Sequence, residues 1–290
     1  MEASRVSTRT LCPIPAAAGI GLRPEHYDAV LDTPPRVAWF EVHSENYMGD
    51  GGRPVRVLEA VRARAPISFH GVGLSLGSVD PLDTPHLARL RALAHRFEPG
   101  LVSEHLAWTS LGGVHFNDLL PLPCTREALR HVARRVERVQ DALGRTIAVE
   151  NPSTYVRFDD EEMDEATFLV ALARQTGCSL LADLNNVYVS ACNHGRDPYR
   201  WLEAIPPELV TEIHLAGHTR RSTGDGEVLI DTHSAPVSDA VWALYDRALS
   251  LWGPRPTLIE WDRDLPPLET LVGEARTAQA RLEAVHAVAG

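Results

Sequence analysis

The sequence predicts an α/β protein built as a closed (β/α)8 barrel, and three observations predict it. Short runs rich in Val, Ile and Leu alternate with longer amphipathic stretches, eight such runs can be counted, and nearly every one ends in a carboxylate or an imidazole. The runs are read at about 19–23, 38–42, 67–70, 101–104, 146–150, 179–183, 212–215 and 257–260. The helices between them are marked by apolar residues three and four positions apart. Thr84 before Pro85 opens one whose buried stripe is Leu90, Leu93, Ala94 and Phe97. Leu129, Val132, Val136, Val139 and Leu143 mark another, with Thr125 as N-cap and Gly144 just past its end. Val237, Val241, Leu244, Ala248 and Leu251 form a third stripe, and a last helix after Pro266–Pro267 carries Leu268, Val272, Ala275, Leu282 and Val285. The proline-containing loop after Thr33 and the glycine-rich stretch from Arg220 to Gly226 are expected to be surface connections. No repeat or low-complexity linker interrupts the pattern, so residues 1–290 are read as a single domain with the barrel at about 18–288.

Composition narrows the function. With 290 residues, 44% of them hydrophobic, the chain can bury a large core, which excludes global disorder. The formal charge is 28 − 39 = −11, every basic residue being arginine, and a net-acidic surface argues against nucleic acid as the main partner. No stretch approaches the roughly 18 apolar residues of a membrane span, and Met1–Thr10 lacks a signal peptide's apolar segment, so no membrane association and a cytoplasmic location are expected. Cys12, Cys124, Cys178 and Cys192 lie far apart, which fits neither a zinc ribbon nor a disulfide framework. Against these 4 cysteines stand 13 histidines, and their positions carry the information.

Side chains at the carboxyl ends of barrel strands converge on one mouth. The residues placed there are Glu41 with His43 and Glu45 (EVHSENY), His70 (SFHGVG), Glu104–His105 (VSEHLAW), Glu150 (VENPS), Asp183 (LADLNN), His214 (IHLAGH) and Glu260 (LIEWD). Asp231 and His233 (LIDTHSAP) follow the seventh run, and an Asp-x-His pair in extended backbone points both groups to one side. Taken singly, each has a plainer role: a strand-end histidine that is merely hydrogen-bonded, Asp183 or Glu150 as a helix N-cap, Glu41 bound to neighbouring loops. Gathered in one mouth, four carboxylates and four imidazoles without a cation would cost many kcal/mol of repulsion and desolvation. The mixture of His and carboxylate without cysteine suits iron, zinc or manganese, and so many ligands call for two or three ions. GIGLR and GVGLSLG lack the spacing of phosphate loops, and no Gly-x-Ser-x-Gly elbow activates Ser44, Ser75 or Ser153. Arg134, Arg135 and Arg138 are read as solvated, and Trp108, Trp201 and Trp242 as packing between barrel and helices.

The segments FHGVGLSLG, SEHLAW, HFNDLLPLP, VENPS, DLNNVYVSACNHG, IHLAGH, IDTHSAPV and LIEWD, in this order from about Gly19 to Leu268, resemble the motif series of the multinuclear non-haem iron-dependent oxidases, a family that includes the methanobactin biosynthesis oxidase. The resemblance implies a xylose isomerase-like barrel. It places His70, His105, Glu150, Asp183, His214, Asp231, His233 and Glu260 on the metal-holding positions, with Asn186 where related zinc endonucleases for abasic DNA carry histidine. That exchange removes a strong nitrogen ligand and weighs against a trinuclear zinc hydrolase. His43, Glu45, Asn46, His194 and His218 are candidate substrate-binding residues, and Asp262, separated from Glu260 by Trp261, is a candidate catalytic residue. Cys124 departs from the aromatic residue the family often has there. The implied activity is oxygen-dependent modification of a ribosomally made peptide, usually at cysteine, by a mixed-valent iron pair, with a small companion protein presenting the peptide. A metal-dependent hydrolase or isomerase on the same fold, and a non-catalytic metal-binding scaffold, stay open as alternatives.

Overall fold

A computed structural model describes residues 13–224 and 226–289, so Cys12 and the Met1–Thr10 stretch lie outside the described residues. In chain order the elements begin β1 (Ala18–Gly21), α1 (Tyr27–Asp32), β2 (Phe40–His43), α2 (Arg53–Arg62), β3 (Ile67–Gly71), α3 (Thr84–Phe97), β4 (Leu101–His105). A hairpin follows, β5 (Trp108–Leu111) and β6 (Val114–Leu120), then α4 (Arg126–Leu143), β7 (Ala148–Glu150), α5 (Glu165–Thr176), β8 (Ser179–Asp183), α6 (Leu184–His194), α7 (Pro198–Ala204) and β9 (Val210–Leu215). A second hairpin, β10 (Thr219–Thr223) and β11 (Gly226–Ile230), precedes α8 (Asp239–Trp252), β12 (Thr257–Ile259) and α9 (Leu268–Ala289). Each of the eight runs expected from sequence is a barrel strand whose ends differ from the reading by two residues at most.

The barrel strands are parallel and close in the order β1-β12-β9-β8-β7-β4-β3-β2, sealed where Ala18 pairs with Thr257. Outward residues such as Phe40, Val42, Phe69 and Val102 pack on the helices. Thr125 caps α4 by accepting from the Ala128 amide, and Gly144, at φ 65°, ends it in the left-handed region that costs glycine little. Asp83, Asp164 and Ser238 cap α3, α5 and α8 in the same way.

Four details differ from the sequence reading. Arg135 is buried: it donates to the Asp80 and Ser75 carbonyls and so pins the loop after β3 to α4. Trp108 sits on the β5–β6 hairpin, edge-on to Phe116, whereas Trp201 and Trp242 do pack among helices. Val237 is buried but precedes the α8 cap, Ser238. Residues 220–224 and Gly226 are exposed, as expected, but most of them belong to the β10–β11 hairpin.

Candidate metal centre

Side chains two apart on a strand share a face, so the inward positions of the barrel fall into layers. His43, His70, His105, Glu150, Asp183, His214 and Glu260 form the layer at the carboxyl ends, and Glu41, Ser68, Ser103, Ala148, Leu181, Glu212 and Leu258 form the layer beneath it. Apart from the half-buried His43, every residue of the upper layer is buried.

The first group is His70, His105 and Glu150. His105 Nδ1 lies 3.0 Å from the Gly71 carbonyl, which only accepts, so Nδ1 carries the proton and Nε2 is a bare lone pair. Ser103 Oγ donates to the Phe69 carbonyl, so His70 Nδ1–H donates to Ser103 Oγ at 2.7 Å and His70 Nε2 is also bare. These two lone pairs stand 3.2 Å apart, and Glu150 Oε2 lies 3.2 and 3.1 Å from them. Three acceptors converge with no proton assigned between them, the arrangement a cation resolves. Burial first, then neighbouring imidazoles, pushes His70 well below the usual histidine range, and burial holds His105 at about 4, so both are neutral at physiological pH. Burial and the carboxylates of Asp183, Glu260 and Glu41 push Glu150 well above its usual range, although His214 opposes.

The second group lies across the mouth. Glu260 Oε2 is 3.1 Å from His214 Nδ1 and 3.3 Å from His233 Nδ1, while Glu150 Oε1 reaches His214 Nδ1 at 3.8 Å. His233 Nε2 is 2.8 Å from Asp231 Oδ1 and 3.9 Å from Asp183 Oδ2. Asp183 works on both sides: Oδ1 caps α6 by accepting from the Asn186 amide at 2.7 Å, and Oδ2 is buried with no partner. The N-cap and ligand readings of Asp183 are therefore compatible. His233 adopts φ 45°, an uncommon conformation for a non-glycine residue, and is fixed there by its amide bond to the Gly217 carbonyl. Glu150, Asp183 and Glu260 each belong to more than one group of donor atoms close enough to share an ion, so the groups form one continuous cluster. Asn186 Oδ1 is buried beside them without a partner, its amide donating to the Asn151 carbonyl.

A hydrogen-bonded rim surrounds the cluster. Asn185 accepts from His218 Nδ1 at 2.8 Å and donates to Asp231 at 2.6 Å, while Tyr155 Oη accepts from the Asp231 amide. Asp262 Oδ2 lies 3.0 Å from His233 Nδ1 and its Oδ1 accepts from Arg23 at 2.5 Å. Burial and Glu260 would raise the Asp262 carboxyl, but His233 and Arg23 outweigh them and hold it at about 2, so it is an ionised acceptor. His43 Nε2 stands 3.7 Å from Glu260 and 3.6 Å from Asp262.

Glu45, Asn46 and His194 stay apart from the cluster. Glu45 Oε1 accepts from the Val72 and Gly73 amides and so supports the loop after β3, and Asn46 is exposed. His194, bonded to Thr154, lines a cavity of about 600 Å³ beside the mouth, together with Leu106, Cys124, Phe158, Val187 and Trp201. Sequence reasoning missed Arg23, Glu212, Asn151, Asn185 and Tyr155. Glu212 had a signal, its two-residue spacing from His214; Arg23 has no neighbour in the sequence that foretells its carboxylate partners.

Comparison with known proteins identifies the family and the fold. Residues 17–283 match the family model described as RiPP precursor modification enzyme MbnB/TglH/ChrH. The chain is 52% identical over 265 residues to a UPF0276 protein of Caulobacter sp. (strain K31), covering 91% of this chain and 96% of that one. It is 49% identical to the UPF0276 protein AM1_3026 of Acaryochloris marina, over 91% of this chain and 94% of that one. Among solved structures, an L-ribulose 3-epimerase superposes with a TM-score of 0.62 at 14% identity, covering 95% of this chain and 97% of that chain. A xylose isomerase-like TIM barrel protein from Mycobacterium smegmatis in complex with magnesium gives 0.53 at 15% identity, over 82% and 80%. These structures share the fold. The sequence match over nearly the whole barrel shows more: the chain belongs to the MbnB/TglH/ChrH family of RiPP precursor modification enzymes, which modify ribosomally made peptides.

Proposed function

We propose that this enzyme is an oxidoreductase that uses dioxygen to modify its precursor peptide at a cysteine, on a cluster of two or three iron ions. The observation that carries the reading is the convergence of the bare His70 and His105 Nε2 lone pairs on Glu150 Oε2 within 3.2 Å. Buried acceptors without donors are costly unless a cation satisfies them, and Glu150 Oε2, Asp183 Oδ2 and Asn186 Oδ1 are all buried without a partner. The residues present fit the implied metal: His70, His105 and Glu150 would hold one ion, and Asp183, His214, His233 and Glu260 would hold the remainder, with Asp231 and Asn186 beside them. Imidazole and carboxylate donors without thiolate suit iron, and leave zinc and manganese as the competing ions. Bound iron supplies dioxygen activation and lowers the pKa of a substrate thiol.

The chain's own residues do the rest. Arg23 and His233 keep Asp262 ionised, an acceptor able to hold a donor N–H of the substrate at the rim of the cluster. The buried cluster keeps bulk water from the reacting atoms. The cavity beside Leu106 and Pro152, one and two residues after His105 and Glu150 respectively, offers an apolar wall for the peptide segment flanking the cysteine. Exposed Leu111, Val114 and Phe116 on the β5–β6 hairpin favour docking of a companion protein that presents the peptide.

The test is anaerobic purification, elemental analysis and electron paramagnetic resonance, followed by dioxygen uptake with a cysteine-bearing precursor peptide. Two or more irons per chain, a coupled ferrous–ferric signal and peptide-dependent uptake are expected. Stoichiometric zinc without uptake would reassign the site to hydrolysis or isomerisation, and a metal site inert to both dioxygen and peptide would make the protein a scaffold.

A further inference from the structure

The layer beneath the metal centre is normally filled by branched apolar side chains in barrels of this kind. Here it contains Glu41, Ser68, Ser103 and Glu212, all at most 1% exposed. Two imidazoles of the upper layer already have a visible anchor on the nitrogen turned from the mouth: Ser103 Oγ for His70 Nδ1 and the Gly71 carbonyl for His105 Nδ1. Unlike His70 and His105, His214 is turned the other way round. Its Nδ1 faces Glu260 and Glu150, and its Nε2 faces down, 3.3 Å from Glu41 Oε1 and 3.8 Å from Glu212 Oε1. His214 Nε2 and both oxygens of Glu41 and of Glu212 are buried and make no hydrogen bond, and of these carboxylates Glu41 comes nearest to Nε2.

We infer that Glu41 is a positioning residue: it accepts the Nε2–H of His214 from below, so that Nδ1 is the nitrogen presented to the metal centre. This rests on the metal-centre reading. A Glu41 oxygen also lies within 4.8 Å of donor atoms of His214 and Glu260, so direct ligation is the competing role, and the variants below separate it from action through the imidazole. A ligand histidine whose second nitrogen donates to a carboxylate has a fixed tautomer and ring plane and a more basic metal-facing nitrogen, and losing such a partner typically costs ten- to a hundredfold in metal affinity.

Two measurements on the full-length protein test this. In the metal-free, 15N-histidine-labelled protein, with His214→Gln used for assignment, NMR should show an exchange-protected Nε2–H on His214 that is lost in Glu41→Ala. An unprotonated Nε2, or a protected proton indifferent to Glu41→Ala, overturns the inference. Ferrous-ion titration should then show Glu41→Gln, which keeps an acceptor oxygen, within about threefold of the parent, while Glu41→Ala falls ten- to a hundredfold. Ser68→Ala, in the same layer, should match the parent in both assays. Equal, severe loss in Glu41→Gln and Glu41→Ala would make Glu41 itself a ligand and overturn the positioning role; unchanged affinity in Glu41→Ala would also overturn it. If the parent protein binds no metal, the metal-centre reading fails while the NMR result still decides whether Glu41 orients His214.

Discussion

Glu150→Gln separates a ligand from a structural carboxylate. In the metal-free protein Glu150 is buried and held well above the usual carboxylate range, first by burial and then by surrounding carboxylates, beside two bare imidazole nitrogens at 3.2 and 3.1 Å. Glutamine copies that shape and adds one N–H toward the second imidazole, a hydrogen bond worth about 1 kcal/mol. The metal-free variant should therefore be as stable as the parent or slightly more so, within roughly 2–4 °C in Tm. With metal the balance reverses. Even one unit-charge interaction at about 4 Å is worth about 4 kcal/mol at an effective dielectric of 20, which is about three orders of magnitude in affinity. Thermal unfolding with and without chelator, together with ferrous-ion titration, measures both sides. A metal-free Glu150→Gln protein destabilised by more than about 3 kcal/mol, or one that binds metal like the parent, would refute the convergent-acceptor argument.

Further outcomes follow from other parts of the molecule. His233→Asn should lose bound metal while unfolding within a few degrees of the parent, since asparagine tolerates φ 45°; retained metal stoichiometry would remove His233 from the ligand set. Gly217→Ala should abolish metal binding and lower Tm, because a Cβ there would lie 2.0 Å from the Ala235 carbonyl oxygen and push away the segment carrying Asp231 and His233; an unperturbed variant would contradict that close approach. Val156→Trp, at an exposed position on the lip of the cavity, should raise KM for peptide several-fold with metal content unchanged, and an unchanged KM would place the peptide elsewhere. Glu165, half-buried with Trp201 donating to it at 2.9 Å, is pushed by burial to about 7. A raised carboxyl stabilises the fold fully below the ordinary carboxylate range and loses that contribution as pH rises through about 7. Unfolding free energy measured between pH 4.5 and 8 should therefore fall more steeply in the parent than in Glu165→Gln, by at most about 3 kcal/mol, and identical pH profiles would contradict it.

The barrel was legible because its strands are short apolar runs and because the carboxyl end of each run is marked by a titratable residue. Most of the cluster was legible for the same reason: His70, His105, Glu150, Asp183, His214 and Glu260 all lie within one residue of the carboxyl end of a barrel strand. What escaped the sequence falls into two kinds. Glu41 was visible as an acid but reads equally well as a loop partner, and only the register of β2 against β3, with Glu41 opposite Ser68, turns it into the barrel. Arg23, Asn185 and Tyr155 act through long-range partners, Arg23 reaching Asp262 across 239 positions of chain and Tyr155 reaching the Asp231 amide across 76, and no periodicity encodes such pairs. The hairpins were hidden because β5–β6 and β10–β11 are exposed and follow barrel strands directly, so their residues read as loop. Arg135 looked solvated on the charged face of α4, yet the loop after β3 folds over it and takes both of its terminal nitrogens.

Anomalous diffraction at the iron edge, from crystals of protein purified and grown without oxygen, decides whether cations are what lets these side chains converge. Two or three peaks are expected, one within bonding distance of His70, His105 and Glu150 and the others among Asp183, His214, His233 and Glu260. A mouth holding only water, with the His70 and His105 nitrogens bridged by hydrogen bonds and no anomalous signal, would contradict it.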